Sequence, residues 1–384
     1  MNSAQSSIQI ALVGDMILDD DQPARLFDRS RAALQQADVV VGQVEVPHTL
    51  RGKESHFDIP APFSDPAKLK ALSGAGFHVA TLAGNHIYDL GREGIEDTLA
   101  ALHAQNIQTT GAGINLADAC RPAIVEREGI RVGVLSYNCV GPRESRAAAN
   151  KPGAAFVDII THYENQYASP GGPPSHTYSF PVPDSLGKMQ NEIAALRASV
   201  DFVIVALHKG IGHLPAVLAM YERLISQAAV EAGAQLVVGH HAHICRGIET
   251  INGSPVFHGL GNFVTVTDAL AVDQSNPERK AWAKKRKEMF NFEPDPAHPK
   301  YPFHPQSRNT LIAVCDVDQQ GLVRAGFLPC WINGDSQPEV HGRDKIGEQV
   351  TDYMRHITSE AGLNASFEWD GNQVTIWRRN PSRR

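Results

Sequence analysis

Six short stretches of the chain are almost wholly apolar. Ile8–Val13, Val39–Val44, Val79–Ala83, Val132–Tyr137, Phe202–Leu207 and Leu236–Val238 are rich in Val, Ile and Leu and show little alternation. A strand with one wet face would alternate, so continuous runs of this length read as strands of a sheet covered on both faces. Between them lie stretches with helical periodicity: Pro23–Gln36, Pro66–Gly74, Gly91–Gln105, Ser185–Ser199 and Pro215–Ala232. Strand and helix in alternation predict an α/β layered fold. Val256–Phe257, Thr310–Val317 and Leu322–Leu328 follow without clear helices between them, as antiparallel strands that complete the sheet or form a second one would.

Two long segments break the alternation. Gly141–Asp184 is rich in Gly, Pro, Ser and Tyr and holds no sustained helical period. Asp268–Ser307 carries a basic run (Arg279, Lys280, Lys284, Lys285, Arg286, Lys287) and then a Pro- and His-rich stretch with His298 and His304. Loops of this length inside a compact domain are functional lids or disordered linkers. As lids, both rise on the face where strands end, and the second presents positive charge to an anionic substrate. The plain alternative for the basic run is a solvated helix. Beyond Pro338 the pattern predicts a helix over Gly347–Ala361 and a hairpin turning on Asp370-Gly371. The chain thus divides into a catalytic-type domain, 1–338, with inserts at 141–184 and 268–307, and a helix-hairpin extension, 339–384.

With 384 residues, 42% hydrophobic and 20% charged, the chain can build a core and lacks the bias of a disordered one. Its formal net charge of −7 is not gathered in one block. Such a surface has no general attraction for nucleic acid or anionic lipid, so neither nucleic acid nor a membrane is expected as a partner. The opening MNSAQSSIQIALVGDMIL lacks the basic region, long apolar stretch and cleavage site of a secretory signal, and no run approaches the roughly 18 apolar residues of a membrane span. Five widely spaced cysteines without a C-x-x-C indicate neither a disulfide framework nor a zinc knuckle. These features predict a cytoplasmic location and a small-molecule partner.

The chemistry lies at the strand ends. The first apolar run ends in Gly14-Asp15, the second leads to Glu45, and the third ends in Gly84-Asn85-His86. The fifth ends in His208 and the sixth in Gly239-His240-His241-Ala242-His243. In open α/β sheets ligands sit beyond the carboxyl ends of strands. Any one of these residues alone reads as a helix cap, a turn or a packed histidine. Together, two carboxylates, an amide oxygen and several imidazoles make a site for a divalent metal. His241 and His243, two apart, project to one side if the backbone is extended, so one loop can serve both ends of a two-metal cluster.

These motifs carry a resemblance to the CapA family (poly-γ-glutamate capsule biosynthesis proteins), a branch of the calcineurin-like metallophosphoesterases. The matching stretches are Gly14-Asp15-Met16-Ile17-Leu18, Ala37-Asp38 leading to Glu45, and Ala83-Gly84-Asn85-His86 with Asp89, Gly91, Gly94, Thr98 and Leu99. Gly111-Ala112-Gly113, Val205 to Gly210, Gly233-Ala234 through Gly239 to His243, and Leu260-Gly261-Asn262-Phe263 continue the series in order. The resemblance implies a four-layer α/β/β/α metallophosphoesterase-like (calcineurin-like) fold with two mixed β-sheets. It makes Glu45 a bridging carboxylate, gives Asp15 and His243 to one metal, and gives Asn85, His208 and His241 to the other. His86 then stands beside the metals as the acid, with Asp89 as its carboxylate neighbour, a role suited to imidazole.

Ile17 departs from the pattern: the classical phosphoesterases have a histidine there, so the first metal should be weakly held. Gln43, Lys209, Gly212 and His258 also differ from the usual family residues, which implies a changed substrate pocket around a conserved metal site. Lys209, His213, Arg246 and His258 adjoin the motifs and are candidates to bind an anionic group, against the plain reading of solvated surface side chains. Tyr88 should pack behind the His86 turn, and Cys245 should be an inert packing group. The expected activity is that of a metal-dependent hydrolase using one or two divalent ions (Mn, Fe, Zn or Co), cleaving an amide, ester or phosphoester of a small anionic substrate. The alternatives are a non-catalytic metal-binding accessory protein of capsule synthesis, and a nucleotide or cyclic-nucleotide phosphodiesterase with Tyr88, Phe257 or Phe263 clamping the base.

Overall fold

The computed structural model describes residues 7–53, 64–165, 174–267 and 277–379. Parts of both inserts, 166–173 and 268–276, lie outside the described residues. Two mixed sheets face each other. In the larger, Ser7–Leu18 is central, with Val39–Val44, Val79–Thr81 and Gln108–Thr110 parallel on one side and Asn309–Asp318 and Gly321–Ile332 antiparallel on the other. The far half of Ser7–Leu18 also pairs in parallel with Asn262–Val266. The smaller sheet runs Cys245–Ile251, Ser254–Leu260, Leu236–His240, Phe202–His208, Ile130–Asn138, Ala123–Arg127.

The strands lack alternation because both of their faces are buried, in two different cores. Along the first strand Ile8, Ile10 and Leu12 enter the layer between the sheets, where Phe202, Ile204 and Ala206 meet them. Ala11 and Val13 point the other way, against Leu34, Leu72, Ile95 and Leu102 of the helices Arg31–Gln36, Lys70–Ala75 and Gly91–His103. Val203, Val205 and Leu207 likewise turn outward onto Met189, Ile193 and Leu196 of Pro183–Arg197 and Ile225 of Met220–Glu231. Helix, sheet, sheet and helix are the four layers expected.

Several boundaries differ from expectation for local reasons. Pro23–Gln36 is a short 3-10 turn, Pro23–Phe27, and then the helix Arg31–Gln36. The helix expected from Pro215 starts at Met220, where Glu222 folds back to accept the Ala219 N–H at 2.7 Å. Two hairpins were missed, turning on Glu128-Gly129 and Asn252-Gly253, where both central residues have positive φ. That geometry matches strand twist and suits Asn252-Gly253, whereas at Glu128-Gly129 only the glycine favours it. Within the first insert, Ile159–Asn165 and Pro174–Pro181 form an antiparallel pair. In the second, the basic run lies on the helix Pro277–Phe290.

The C-terminal extension is bonded into the same body. Gln373–Arg378 adds to the large sheet beside Gly321–Ile332, and Met354 and Ile357 of Lys345–Glu360 enter the inter-sheet core. Among the described residues no helix is long and apolar enough to cross a membrane.

Candidate metal centre

Asp15 is placed by its glycine neighbour. A Cβ on Gly14 would lie 1.9 Å from the Gly261 carbonyl oxygen, so only glycine lets the two strands approach. The Asp15 N–H then donates to Gly261 O at 2.9 Å, and the strand's register shifts on both sides of Asp15. Such an irregularity re-aims a side chain out of the ladder. Glu45 follows Val39–Val44 directly, and its N–H donates to Met16 O at 3.2 Å. Asn85 and His86 leave the end of the third strand against Gly141, whose left-handed φ of 78° and missing Cβ leave room for the Asn85 side chain.

The structure brings the six expected ligands together. One donor atom from each of Asp15, Glu45 and His243 falls within a cluster no more than 4.8 Å across. His243 Nε2 is 3.2 Å from Glu45 Oε1, and His208 Nε2 is 2.9 Å from Asn85 Oδ1. The His208 and His241 ring centroids are 5.0 Å apart, and those of His241 and His243 are 6.4 Å apart. Two donors each about 2.1 Å from a shared cation, at right angles to each other, lie roughly 3 Å apart, which is the spacing of both pairs. The loop that supplies the two histidines is not extended: His241 and His243 have φ of 84° and 54°. A left-handed turn, and not an extended strand as the spacing predicts, sets both rings on the site. His86 stands alongside with its Nδ1 2.8 Å from Asp89 Oδ2.

Hydrogen bonding within the cluster is incomplete. Asp15 Oδ1, both Glu45 carboxylate oxygens and the Nδ1 atoms of His208 and His240 make no well-aligned hydrogen bond. Such atoms are costly unless something else satisfies them. The charges tell the same story. Burial alone would lower the His243 pKa, but the Glu45 and Asp15 carboxylates outweigh it and push it up to about 9. Burial alone would raise Asp15, yet His240, His243 and the His241 N–H hold it below its ordinary value. Burial, with the neighbouring His241, His240, His243 and His86 imidazoles, drives His208 well below the usual histidine range. A site that draws a proton onto one ligand while keeping another neutral is built for a cation. The donor set fits a divalent metal.

A sequence model described as "Bacterial capsule synthesis protein PGA_cap" matches residues 9–267, more than half of the chain. The chain belongs to that family. It is 27% identical over 253 residues to the PGA biosynthesis protein CapA of Bacillus subtilis, covering 62% of this chain and 56% of that protein. A Mycobacterium tuberculosis protein named "Probable polyglutamine synthesis accessory protein" is 32% identical over 219 residues, covering 55% of this chain and 51% of the other. The chain therefore spans about half the length of the curated relatives it matches. Among solved structures, the calcineurin-like phosphoesterase YfkN from Bacillus subtilis aligns with TM-score 0.36 and 12% identity over 93% of this chain and 98% of that one. The sulfate thiohydrolase SoxB aligns with TM-score 0.40 and 10% identity, over 88% and 45%. Likenesses at that level carry no argument about chemistry.

The four residues expected to bind an anionic group fall in two places in this PGA_cap protein. Lys209, Arg246 and His258 are fully buried, so neither an open anion pocket nor a solvated surface describes them. Lys209 Nζ donates to His258 Nδ1 at 2.9 Å and lies 3.5 Å from Glu222 Oε2. His258 Nε2 donates to Glu249 Oε1 at 2.8 Å. Arg246 donates to Glu222 Oε1 at 3.1 Å and to the Ile211 and Val217 carbonyls. His213 does join the site: its ring stacks on His243 at 5.9 Å, enclosed by Phe290, Phe292 and Phe303. His240 and Asn262 were overlooked. His240 Nδ1 is 3.3 Å from Asp15 Oδ1, and Asn262 Oδ1 is 2.9 Å from His243 Nδ1. The run His240-His241-Ala242-His243 was the signal for the first, but sequence alone does not say which ring faces Asp15. Ile17 packs with Val46, Tyr301, Phe303 and Ile332, an apolar cluster where a metal ligand was expected to be missing.

Proposed function

We propose that this PGA_cap protein is a metal-dependent hydrolase acting on an amide, ester or phosphoester of a small anionic substrate. The observation that supports it is the ion-paired imidazole beside the donor cluster. Asp89 Oδ2 accepts from His86 Nδ1, which fixes the tautomer and orients the ring. A divalent ion held by Asp15, Glu45, Asn85, His208, His241 and His243 would activate water and polarise the bond to be cleaved. His86 delivers the proton to the leaving group, with Asp89 steadying the charged imidazole. His213 and its phenylalanine neighbours exclude solvent on the His243 side.

The names of the relatives favour a second reading, a metal-binding accessory protein of polymer synthesis. A pure binding module has no use for a positioned acid, so His86 separates the two. The nucleotide-phosphodiesterase reading loses support, because Phe257 and Phe263 are buried in the core and Lys151 covers the Tyr88 ring at 3.9 Å. The test is hydrolysis of γ-glutamyl amides, simple esters and phosphodiesters by manganese-reconstituted protein. His86→Ala should keep its metal and lose roughly 10²–10⁴-fold in turnover. Wild type and His86→Ala that are equally inert while both hold metal would support the accessory reading.

A further inference from the structure

Beside the Asn85–His208 half of the site lies a cavity of about 340 Å³, a volume at the small end of ligand pockets. The first insert and the loop after His208 enclose it, with Asn138, Phe156, Thr161, Thr177, Ile211 and Tyr221 on its walls. Three observations tie it to the metal centre. Asn138 pairs with His208 in the small sheet. The Cys139 N–H donates to His208 O at 2.9 Å. Gly141, on the cavity wall, is the residue that packs on Asn85.

The chemistry of the lining is uneven. Among the described residues, Arg146 is its one charged side chain; the rest are hydroxyls, one amide, a thiol, and apolar or backbone groups. Arg146 is braced from outside the cavity. Its Nη1 pairs with Asp158, which is not on this lining, and its guanidinium lies 5.0 Å from the Phe156 ring centroid. A guanidinium has five donors in a fixed fork, so one ionic partner does not exhaust it. The Cys139 thiol is buried and pushed up to about 12, which leaves it no role as a nucleophile.

From this we infer that the cavity is a recognition pocket for the carboxylate end of the substrate, with Arg146 as the binding residue. The inference rests on the hydrolase reading for its purpose. The guanidinium fork matches the two oxygens of a carboxylate, so a bidentate pair would fix both its position and its orientation. A carboxylate seated there shares a wall with the metal centre at Gly141, which packs on Asn85. Arg146 is thus a specificity residue, separate from metal binding and from proton transfer.

Calorimetric titration of the full chain with glutarate tests it, alongside elemental analysis of each variant. Arg146→Met should weaken glutarate binding by ~10–100-fold, and Arg146→Lys by less, with metal content unchanged. Thr177 is exposed, so Thr177→Tyr should fold normally and block the cavity with a loss of similar size. His86→Ala should bind glutarate as wild type does, whatever its turnover, so failure of the hydrolase reading shows separately as inertness. Wild-type affinity in both Arg146→Met and Thr177→Tyr would overturn the pocket, as would no glutarate binding by metal-loaded wild type. Inorganic phosphate binding more tightly than glutarate through Arg146 would overturn the carboxylate assignment.

Discussion

Two buried polar clusters lie side by side in this fold, and they are closed in different ways. The donor cluster takes Asp15 from an irregularity within the first strand, and Glu45, Asn85 and three histidines from positions at or just beyond the ends of four others. The second joins Lys209, Glu222, Arg246, His258, Glu249 and Arg223, starting one residue after His208 and three after His243. In the second, nearly every charge meets an opposite charge or a carbonyl: Glu249 alone takes His258 at 2.8 Å and Arg223 at 2.7 Å. In the first, both Glu45 oxygens and the Nδ1 atoms of His208 and His240 lack a well-aligned hydrogen bond, and Asp15 Oδ1 meets only the His240 ring at 3.3 Å. Burial of charge is thus no mark of a site by itself. What marks one is burial with the valences left open, because a folded chain tolerates that cost only where something else completes the group.

If that contrast is right, substitutions in the two clusters should fail differently. Glu222→Ala leaves Lys209 and Arg246 buried without their shared carboxylate, and should cost about 3–5 kcal/mol in urea unfolding. Its folded fraction should still take up metal. Glu45→Gln should do the reverse, losing metal while the metal-free protein keeps its unfolding midpoint. Equal loss of stability in both would erase the distinction.

Acid offers a smaller and independent test on two buried histidines, His258 of the closed cluster and His48 beside Val46. His258 and His48 are buried, and burial first of all pushes the pKa of each down to about 4. In the unfolded chain both titrate near 6.5, so between those values the unfolded state binds more protons. Their contribution is therefore intact above about 6.5 and falls as the pH drops towards 4, by about 1.4 kcal/mol per pH unit for each imidazole. Urea midpoints measured from pH 7.5 to 4.5 should show that slope. A flat profile would mean that these histidines are not held neutral.

The smallest effect belongs to the basic helix of the second insert. Lys284 and Lys287 have side chains 81% and 60% exposed, with partners Glu288 and Glu293 on the surface. Neutralising both should shift stability by less than about 0.5 kcal/mol and leave the Michaelis constant for an anionic substrate unchanged. A several-fold rise in that constant would restore the charged-lid role to the helix. Its end does reach the site, but through Phe290 and the aromatic residues after it, not through the lysines.

Strand positions were legible because two covered faces impose continuous apolar runs, and such runs have few other uses. The gathering of Asp15, Glu45, Asn85, His208, His241 and His243 in one place was legible because side chains at or beyond the carboxyl ends of neighbouring parallel strands converge on one edge of a sheet. The fate of Lys209, Arg246 and His258 was not. Charged residue types default to the surface, and their burial depends on Glu222 and Glu249, distant in sequence, arriving opposite them. His240 escaped for a related reason: the left-handed turn at His241 decides which ring meets Asp15, and no residue in that run announces it. The hairpin at Asn252-Gly253 is written in its turn residues, whereas glutamate before Gly129 gives no such signal.

Counting metal decides whether the open cluster binds an ion. Wild type reconstituted with manganese, iron or zinc and then dialysed should retain about one ion per chain, with a second released because Ile17 supplies no ligand. His208→Ala treated in the same way should retain almost none, while Glu222→Ala should match wild type in its folded fraction. A wild-type protein that holds no metal after reconstitution, or a His208→Ala variant that holds as much as wild type, would contradict the account.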